Sequence, residues 1–156
     1  MIGFKLRDYQ QSDLQAMVTL FNTTVRAINK KDYTEKQIEQ WIQSIPDDKK
    51  LDQTFSSSYT CIAQLGNKML GFGSISDSGY LEYLYVDREW IGYGIGKKLA
   101  TNLIDHALKA GAKKITVHSS ITAKPFFESL GFVVVEQRNN YRSNVLLINY
   151  LMVYEK

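Results

Sequence analysis

The run Val86-Asp87-Arg88-Glu89-Trp90-Ile91-Gly92-Tyr93-Gly94-Ile95-Gly96-Lys97-Lys98-Leu99 holds the residues best suited to chemistry. Gly92, Gly94 and Gly96 stand between a β-rich run and an amphipathic helical pattern. Such a turn lets successive backbone N–H groups converge on one anionic group, with a helix N-terminus behind them. The implied ligand is a phosphorylated one. Two other phosphate loops do not fit. A Walker A loop ends in Gly-Lys-Ser/Thr and has glycine five positions before that Gly; here Ile91 and Lys98 fill the first and last places. A dinucleotide fingerprint begins at Gly92-Tyr93-Gly94 but meets Lys97 where its third glycine belongs, which disfavours a dinucleotide-dependent oxidoreductase. The plain alternative is a tight strand-to-helix connection, although three alternating glycines cost more backbone entropy than such a connection requires.

The elements that must position this turn follow from hydrophobic period. Phe4 and Leu6 alternate with Lys5 and Arg7, a short first strand. Ser12 or Asp13 can cap a helix with Leu14, Met17, Val18, Phe21 and Val25 on one face. Thr34 can cap a second helix carrying Ile38, Trp41, Ile42 and Ile45, closed near Pro46. Residues 47–57 are polar and read as a mobile connection. Ser58–Leu65, Met69–Ser76 and Tyr80–Val86 form an antiparallel meander, with turns at Gly66-Asn67 and Asp77-Ser78-Gly79. Lys97–Ala110 is a helix stopped by Gly111, Lys114–His118 a strand, and Thr122–Leu130 a short helix ended by Gly131. Phe132–Gln137 and Val145–Val153 are the last strands, apolar enough to be central or covered. The order is βααβββαβαββ. Its one β–α–β unit demands a parallel pair, so the expected fold is α/β (α+β): a mixed, mostly antiparallel sheet of about seven strands with helices on both faces.

The chain has 156 residues, which fits one domain over 1–156 with a core large enough to stand without disulfides or metal. Its apolar fraction is 44% and its aromatic fraction 12%, which excludes the disordered class. A net charge of +3 suits a small anionic ligand and is too weak to argue for nucleic acid. The lone cysteine, Cys61, sits in a strand and reads as a buried, inert thiol. No His/Cys/carboxylate cluster has metal-ligand spacing. Met1–Arg7 lacks the apolar core of a signal peptide, and no run approaches the roughly 20 apolar residues of a membrane span. The expectation is a cytoplasmic protein with no metal, membrane or nucleic-acid partner, in which the sequon Asn22-Thr23-Thr24 is coincidental.

Two blocks together resemble the GNAT superfamily of acetyl-CoA-dependent N-acetyltransferases. The family signature Gln/Arg-x-x-Gly-x-Gly/Ala follows a strand and opens a helix; Ile91-Gly92-Tyr93-Gly94-Ile95-Gly96 occupies those six positions. Ala123-Lys124-Pro125-Phe126-Phe127-Glu128-Ser129-Leu130-Gly131-Phe132 is similar to the family's Ala-x-x-Phe-Tyr-Glu-x-x-Gly-Phe. Spacing and element order agree over residues 58–153, and small bacterial members share the Phe-Phe-Glu form. Two departures stand out. Ile91 replaces Gln or Arg and is expected to pack inward, leaving the N–H donors available. Phe127 replaces a tyrosine thought to protonate the departing thiolate, and it has no proton to give.

The resemblance implies acetyl-CoA as co-substrate and a direct attack by a primary amine in a ternary complex. The diphosphate would rest on the turn formed by Ile91, Gly92, Tyr93, Gly94, Ile95, Gly96 and Lys97, with Lys97 either touching phosphate or solvated. The pantetheine would pair with Leu84, Tyr85 and Val86, placing the acetyl carbonyl near the Leu84 N–H. Glu82, read on one strand face with Tyr80, Leu84 and Val86, is the candidate base, directly or through a water; a surface or paired glutamate is the alternative. His118 could relay protons or simply bond a loop. Ser120 could contact pantetheine or cap a helix. Of Phe126 and Phe127, one is expected in the core and the other along the thiol arm. The missing acid would be water, Ser120 or a tyrosine such as Tyr141. The acceptor wall would draw on Phe21, Asn22, Arg26, Tyr33, Trp41, Tyr141 and Asn149, each with a packing or surface alternative. The acceptor is a small-molecule or peptide amine, and the protein a monomer or homodimer. A non-catalytic acyl-CoA-binding or sensor module is the competing function, favoured by Phe127.

Overall fold

The structure, a computed structural model, describes residues 3–155; Met1 and Ile2 of the N-terminal segment and Lys156 lie outside it. The chain runs β1 (Lys5–Asp8), α1 (Leu14–Ile28), α2 (Glu35–Gln43), α3 (Asp48–Ser57), β2 (Tyr59–Leu65), β3 (Lys68–Ile75), β4 (Tyr80–Val86), α4 (Ile95–Lys109), β5 (Lys114–Ser120), α5 (Lys124–Ser129), β6 (Val133–Arg142) and β7 (Val145–Glu155). Seven strands form one sheet in the order β1-β2-β3-β4-β5-β7-β6. Among the described residues only β4 and β5 pair in parallel. The mixed sheet and its single crossover match the expectation.

Three readings are corrected. Residues 48–57 form α3 rather than a mobile connection: the Asp47 carboxylate accepts from Lys50 N–H at 3.0 Å, and Leu51 and Phe55, one turn apart, are buried. Asp13 does not cap α1. Arg7 donates to both its oxygens at 2.9 and 2.7 Å, and it accepts from Gln10 N–H as well. Finally, β6 reaches Arg142 and is an edge, not a covered strand, with Val133 and Val135 about three-fifths exposed. It turns into β7 through Ser143 and Asn144, both at positive φ, the backbone of a two-residue hairpin. The Thr34 cap of α2 stands as expected, with Gln37 N–H donating to its hydroxyl at 3.1 Å.

Two cores sandwich the sheet. On one face α4 and α5 bury Leu99, Leu103, Ala107 and Phe127 against Leu81, Ile115 and Met152. On the other, α1, α2 and α3 bury Met17, Phe21, Val25, Ile38 and Phe55 against Ile62 and Phe72. Helix α4 seats closely because β3 offers glycine there: a Cβ at Gly73 would lie 2.6 Å from Leu103 Cδ1. That seating fixes the N-terminus of α4 beside the end of β4.

Candidate active site

The parallel pair β4–β5 opens almost as soon as it forms. Tyr80 faces Thr116 and Leu81 faces Val117, and pairing stops there. The cause lies in β4. Its register to β3 steps from Leu81–Ile75 to Tyr83–Ser74, so Glu82 is the extra residue of a β-bulge. The bulge also breaks strict alternation. Leu81 and Leu84, three residues apart, both join the α4-side core, while Tyr83 and Tyr85 pack with the α1-side core. Glu82 therefore does not share a face with Leu84 and Val86; it lines the cleft on the other side with Tyr80, Tyr83 and Tyr85.

Main-chain direction beyond the bulge follows from one bond. Asp87 N–H donates to Leu70 O at 2.8 Å, so Asp87 is turned toward β3. Peptide groups alternate along a strand, so those of Tyr85 and Tyr83 also face β3, and those of Leu84 and Val86 face the open seam. Consistently, the Val86 carbonyl accepts from the buried Thr24 hydroxyl of α1 at 3.0 Å. Leu84 and Val86 can thus offer backbone groups to an extended ligand. The Tyr85 peptide faces β3 instead, contrary to expectation, although the residue still lines the cleft.

The seam continues to the glycine turn. Gly92 has φ +93° and Gly94 φ +82°, left-handed values that suit glycine. The first helical bond of α4 runs from Lys98 N–H to Gly94 O at 3.1 Å, so the N–H groups of Ile95, Gly96 and Lys97 have no helical acceptor. Turn, seam and Phe126 enclose a cleft of about 410 Å³, within the range of small-molecule sites. Phe126 covers Gly96, where an added Cβ would lie 3.4 Å from its ring. Ile91 lines this cleft but is about half exposed and does not pack inward. Tyr93, 55% exposed, stacks at a tilt on Trp90 and lies outside the lining. Phe127 is 4% exposed, edge-on to Phe126 and Phe132, and reaches the cleft floor.

A second cleft, about 340 Å³, opens on the α1 side and meets the first at Tyr85 and Ser120. Of the expected acceptor residues it contains Phe21, Tyr33, Trp41 and Asn149. Asn22, Arg26 and Tyr141 are not among its lining. Arg26 pairs with Glu39 between α1 and α2, Asn22 keeps its Oδ1 buried and unpartnered, and Tyr141 is 64% exposed on the opposite face of β6. Tyr33 is buried; its hydroxyl donates to Ile148 O at 2.6 Å and accepts from Ile121 N–H at 2.9 Å, and burial pushes its pKa up to about 12. It ties the α1–α2 connection to β7 and to the end of β5.

Glu82 is exposed to the cleft and has no ion-pair partner within 4.0 Å among the described residues. Partial desolvation raises its pKa above the ordinary carboxylate value. His118 accepts from Arg138 Nη1 at its Nε2, 2.7 Å away, and meets the Tyr80 hydroxyl at Nδ1, 3.0 Å. Desolvation, then the Arg138 charge, depress its pKa against the smaller opposing effect of Glu136, which favours the neutral ring. Arginine only donates, so the ring proton sits on Nδ1 and points to Tyr80. Ser120 Oγ accepts from Ala123 N–H at 3.0 Å, the helix-cap alternative, while its residue still lines both clefts. Sequence reasoning missed Tyr80, Tyr83, Arg138, Asn140 and Arg142. The last three alternate on β6 beyond Gln137, past the apolar run that marks the strand in the sequence.

Comparison with known proteins is consistent with this arrangement. The acetyltransferase (GNAT) domain model matches residues 29–154. The chain belongs to the GNAT acetyltransferase family. Over 155 residues it is 30% identical to the uncharacterised N-acetyltransferase YafP of Escherichia coli (strain K12), covering 99% of this chain and 98% of that one. A GCN5-related N-acetyltransferase from Rhodopseudomonas palustris superposes with TM-score 0.93 at 28% identity, over 100% of this chain and 98% of that chain. The PaiA N-acetyltransferase of Thermoplasma acidophilum, in complex with coenzyme A, shares the GNAT fold at TM-score 0.80 and 18% identity, over 99% of this chain and 100% of that chain. The GNAT chain has no group of three or more His, Cys, Asp or Glu placed to hold a metal among its described residues, and no helix long and apolar enough to cross a membrane.

Proposed function

We propose that this chain transfers an acetyl group from acetyl-CoA to a primary amine by direct attack, with both substrates bound at once. One observation supports the reading: the cleft that holds the glycine turn and the open strand seam shares two lining residues, Tyr85 and Ser120, with the second cleft. Bound acetyl-CoA supplies the activated thioester. The N–H groups of Ile95, Gly96 and Lys97, with Gly92 and Gly94 bending the chain, hold its diphosphate; the α4 dipole adds about 0.3–1 kcal/mol. Leu84 and Val86 pair with the pantetheine amides as a strand would. The Leu84 N–H is the donor for the charge that develops on the carbonyl oxygen.

Glu82 receives the proton of the attacking amine, directly or through a water, and its raised pKa brings it nearer the amine it must serve. The new bond is N–C and the broken bond C–S. His118 has both ring nitrogens engaged by Tyr80 and Arg138, so a relay through it requires Arg138 to release Nε2 first. Phe127 offers no proton, so the thiolate leaves to be protonated by water or by the Ser120 hydroxyl. That buried phenylalanine is also what favours the competing reading, a non-catalytic acyl-CoA sensor.

Thermal unfolding with acetyl-CoA, CoA and NADH, followed by thiol release over an amine panel, tests both. Stabilisation by the two CoA species with amine-dependent thiol release is the expected result. Stabilisation without release for any amine supports the sensor, and stabilisation by NADH alone overturns both.

A further inference from the structure

The acceptor cleft holds charge that acetyl transfer does not itself require. Arg138 and Arg142 project into it from β6. Neither guanidinium has a carboxylate within 4.0 Å among the described residues, whereas Arg7 and Arg26 each hold one. Arg138 gives one N–H to the His118 ring, and Arg142 gives one to the Tyr141 carbonyl at 3.3 Å. A guanidinium has five N–H donors, so both keep donors for a ligand.

The groups around them share that polarity. Asn140 Nδ2 donates to Leu147 O at 3.2 Å and to Asn149 Oδ1 at 3.1 Å. With its oxygen engaged, the Asn149 amide is left with its NH₂ to offer. The His118 tautomer imposed by Arg138 makes Tyr80 Oη an acceptor toward the ring, which frees the Tyr80 O–H to donate elsewhere. The β5–β6–β7 wall is therefore rich in donors and positive charge. The β4 side presents one carboxylate, Glu82. The charged side chains lining the cleft are thus Glu82 from β4 and Arg138 and Arg142 from β6, while Glu136, which also acts on His118, lies outside the lining.

We propose that the acceptor is an amino acid-like zwitterion, whose carboxylate binds Arg138 and Arg142 while its amine faces Glu82. This rests on the transfer reading above and names its substrate class. The arginine fork matches a carboxylate through two parallel N–H···O bonds, which a lysine or an amide could not reproduce. Glu82 repels that carboxylate and attracts the ammonium, so the reverse orientation is disfavoured and the nitrogen is delivered to the junction at Tyr85 and Ser120. Trp41 and Tyr33, edge-on to each other, line the same cleft and offer apolar surface to the carbon chain. Because Glu82 and Arg138 make no ion pair, the ligand itself bridges them.

The test compares kcat/KM for α-, β- and γ-amino acids with the matching carboxamides and decarboxylated amines. It uses the wild-type chain, Arg142→Gln and the Arg138→Gln/Arg142→Gln double variant. Wild type should favour the acids by at least about tenfold, the usual worth of a charged hydrogen bond. That ratio should shrink in the single variant and approach one in the double variant. A second readout needs no turnover: N-acetyl amino acids should raise the unfolding temperature of the CoA-loaded wild type and not of the double variant. Thiol release from uncharged amines at rates equal to the acids overturns this inference and leaves the transfer reading intact. So does an acid preference that survives both substitutions, the result for arginines that are merely solvated on an edge strand. Absence of release with every amine overturns the transfer reading, and the N-acetyl amino acid shift then decides the anion site by itself.

Discussion

The two clefts are similar in size, about 410 and 340 Å³, and share Tyr85 and Ser120, yet they are built of different material. The seam beside α4 works through main chain: unpaired N–H groups at a helix N-terminus and the Leu84 and Val86 peptides left open by a bulge. The second cleft offers side chains drawn from α1, α2, β4, β5, β6 and β7. Main-chain chemistry needs local backbone conformation, and glycine at chosen positions encodes it. Side-chain chemistry needs distant residues brought together, and no short run encodes that.

That contrast can be broken most sharply at Gly94. A Cβ there meets nothing within 4 Å, so Gly94→Glu should fold, carrying only the strain of a left-handed residue, about 1–2 kcal/mol. Its carboxylate would add negative charge at the turn proposed to hold the diphosphate. Acetyl-CoA affinity should fall by at least about a hundredfold, the cost of losing charge-assisted contacts and gaining repulsion. Calorimetric titration checks this, and unchanged binding would end the anion-cradle assignment.

Glu82 sharpens the other side. Removing a general base costs typically about 10²–10⁴-fold, and Glu82→Gln should lower kcat/KM within that range while leaving acetyl-CoA binding intact. Wild-type activity should decline as pH falls through the raised Glu82 pKa, because the protonated carboxyl cannot accept. The variant's deficit should be larger near pH 6.5 than near pH 9, where more of the amine is already neutral. A pH-independent deficit, or none, would remove Glu82 from the base role.

Tyr33→Phe should have the smallest catalytic effect and a visible structural one. It strands the Ile121 N–H and the Ile148 carbonyl, at about 1–3 kcal/mol. For a chain of this size the unfolding temperature should drop by roughly 3–10 °C, with the acetyl-CoA-induced shift preserved. Loss of that shift would show that the two clefts are mechanically coupled through Tyr33.

How far each region could be read in advance follows the same division. The strand meander, α4 and the turn at Gly92–Gly96 were visible because period and glycine spacing are local properties. Helix α3 was missed because only Leu51 and Phe55 mark its buried face, although Asp47 ahead of them is an N-cap signal. The Glu82 bulge left no mark, and without it alternation assigned Glu82 to the wrong face. Arg26 and Asn22 read as available on α1, but Glu39 takes the first, and the second is absent from the cleft lining with its Oδ1 buried.

Local sequence was enough to establish the order of elements, the backbone bend that can grip an anion and the strand that leads to it, since a few neighbouring dihedrals control each of these. The meeting of Glu82, His118, Tyr80 and Arg138 came from folding alone. Those side chains lie on three strands, β4, β5 and β6, and their distances depend on a bulge, a splayed pair and an edge strand's extent. Those are properties of strand pairing across the sheet, which long-range packing governs and no single segment encodes.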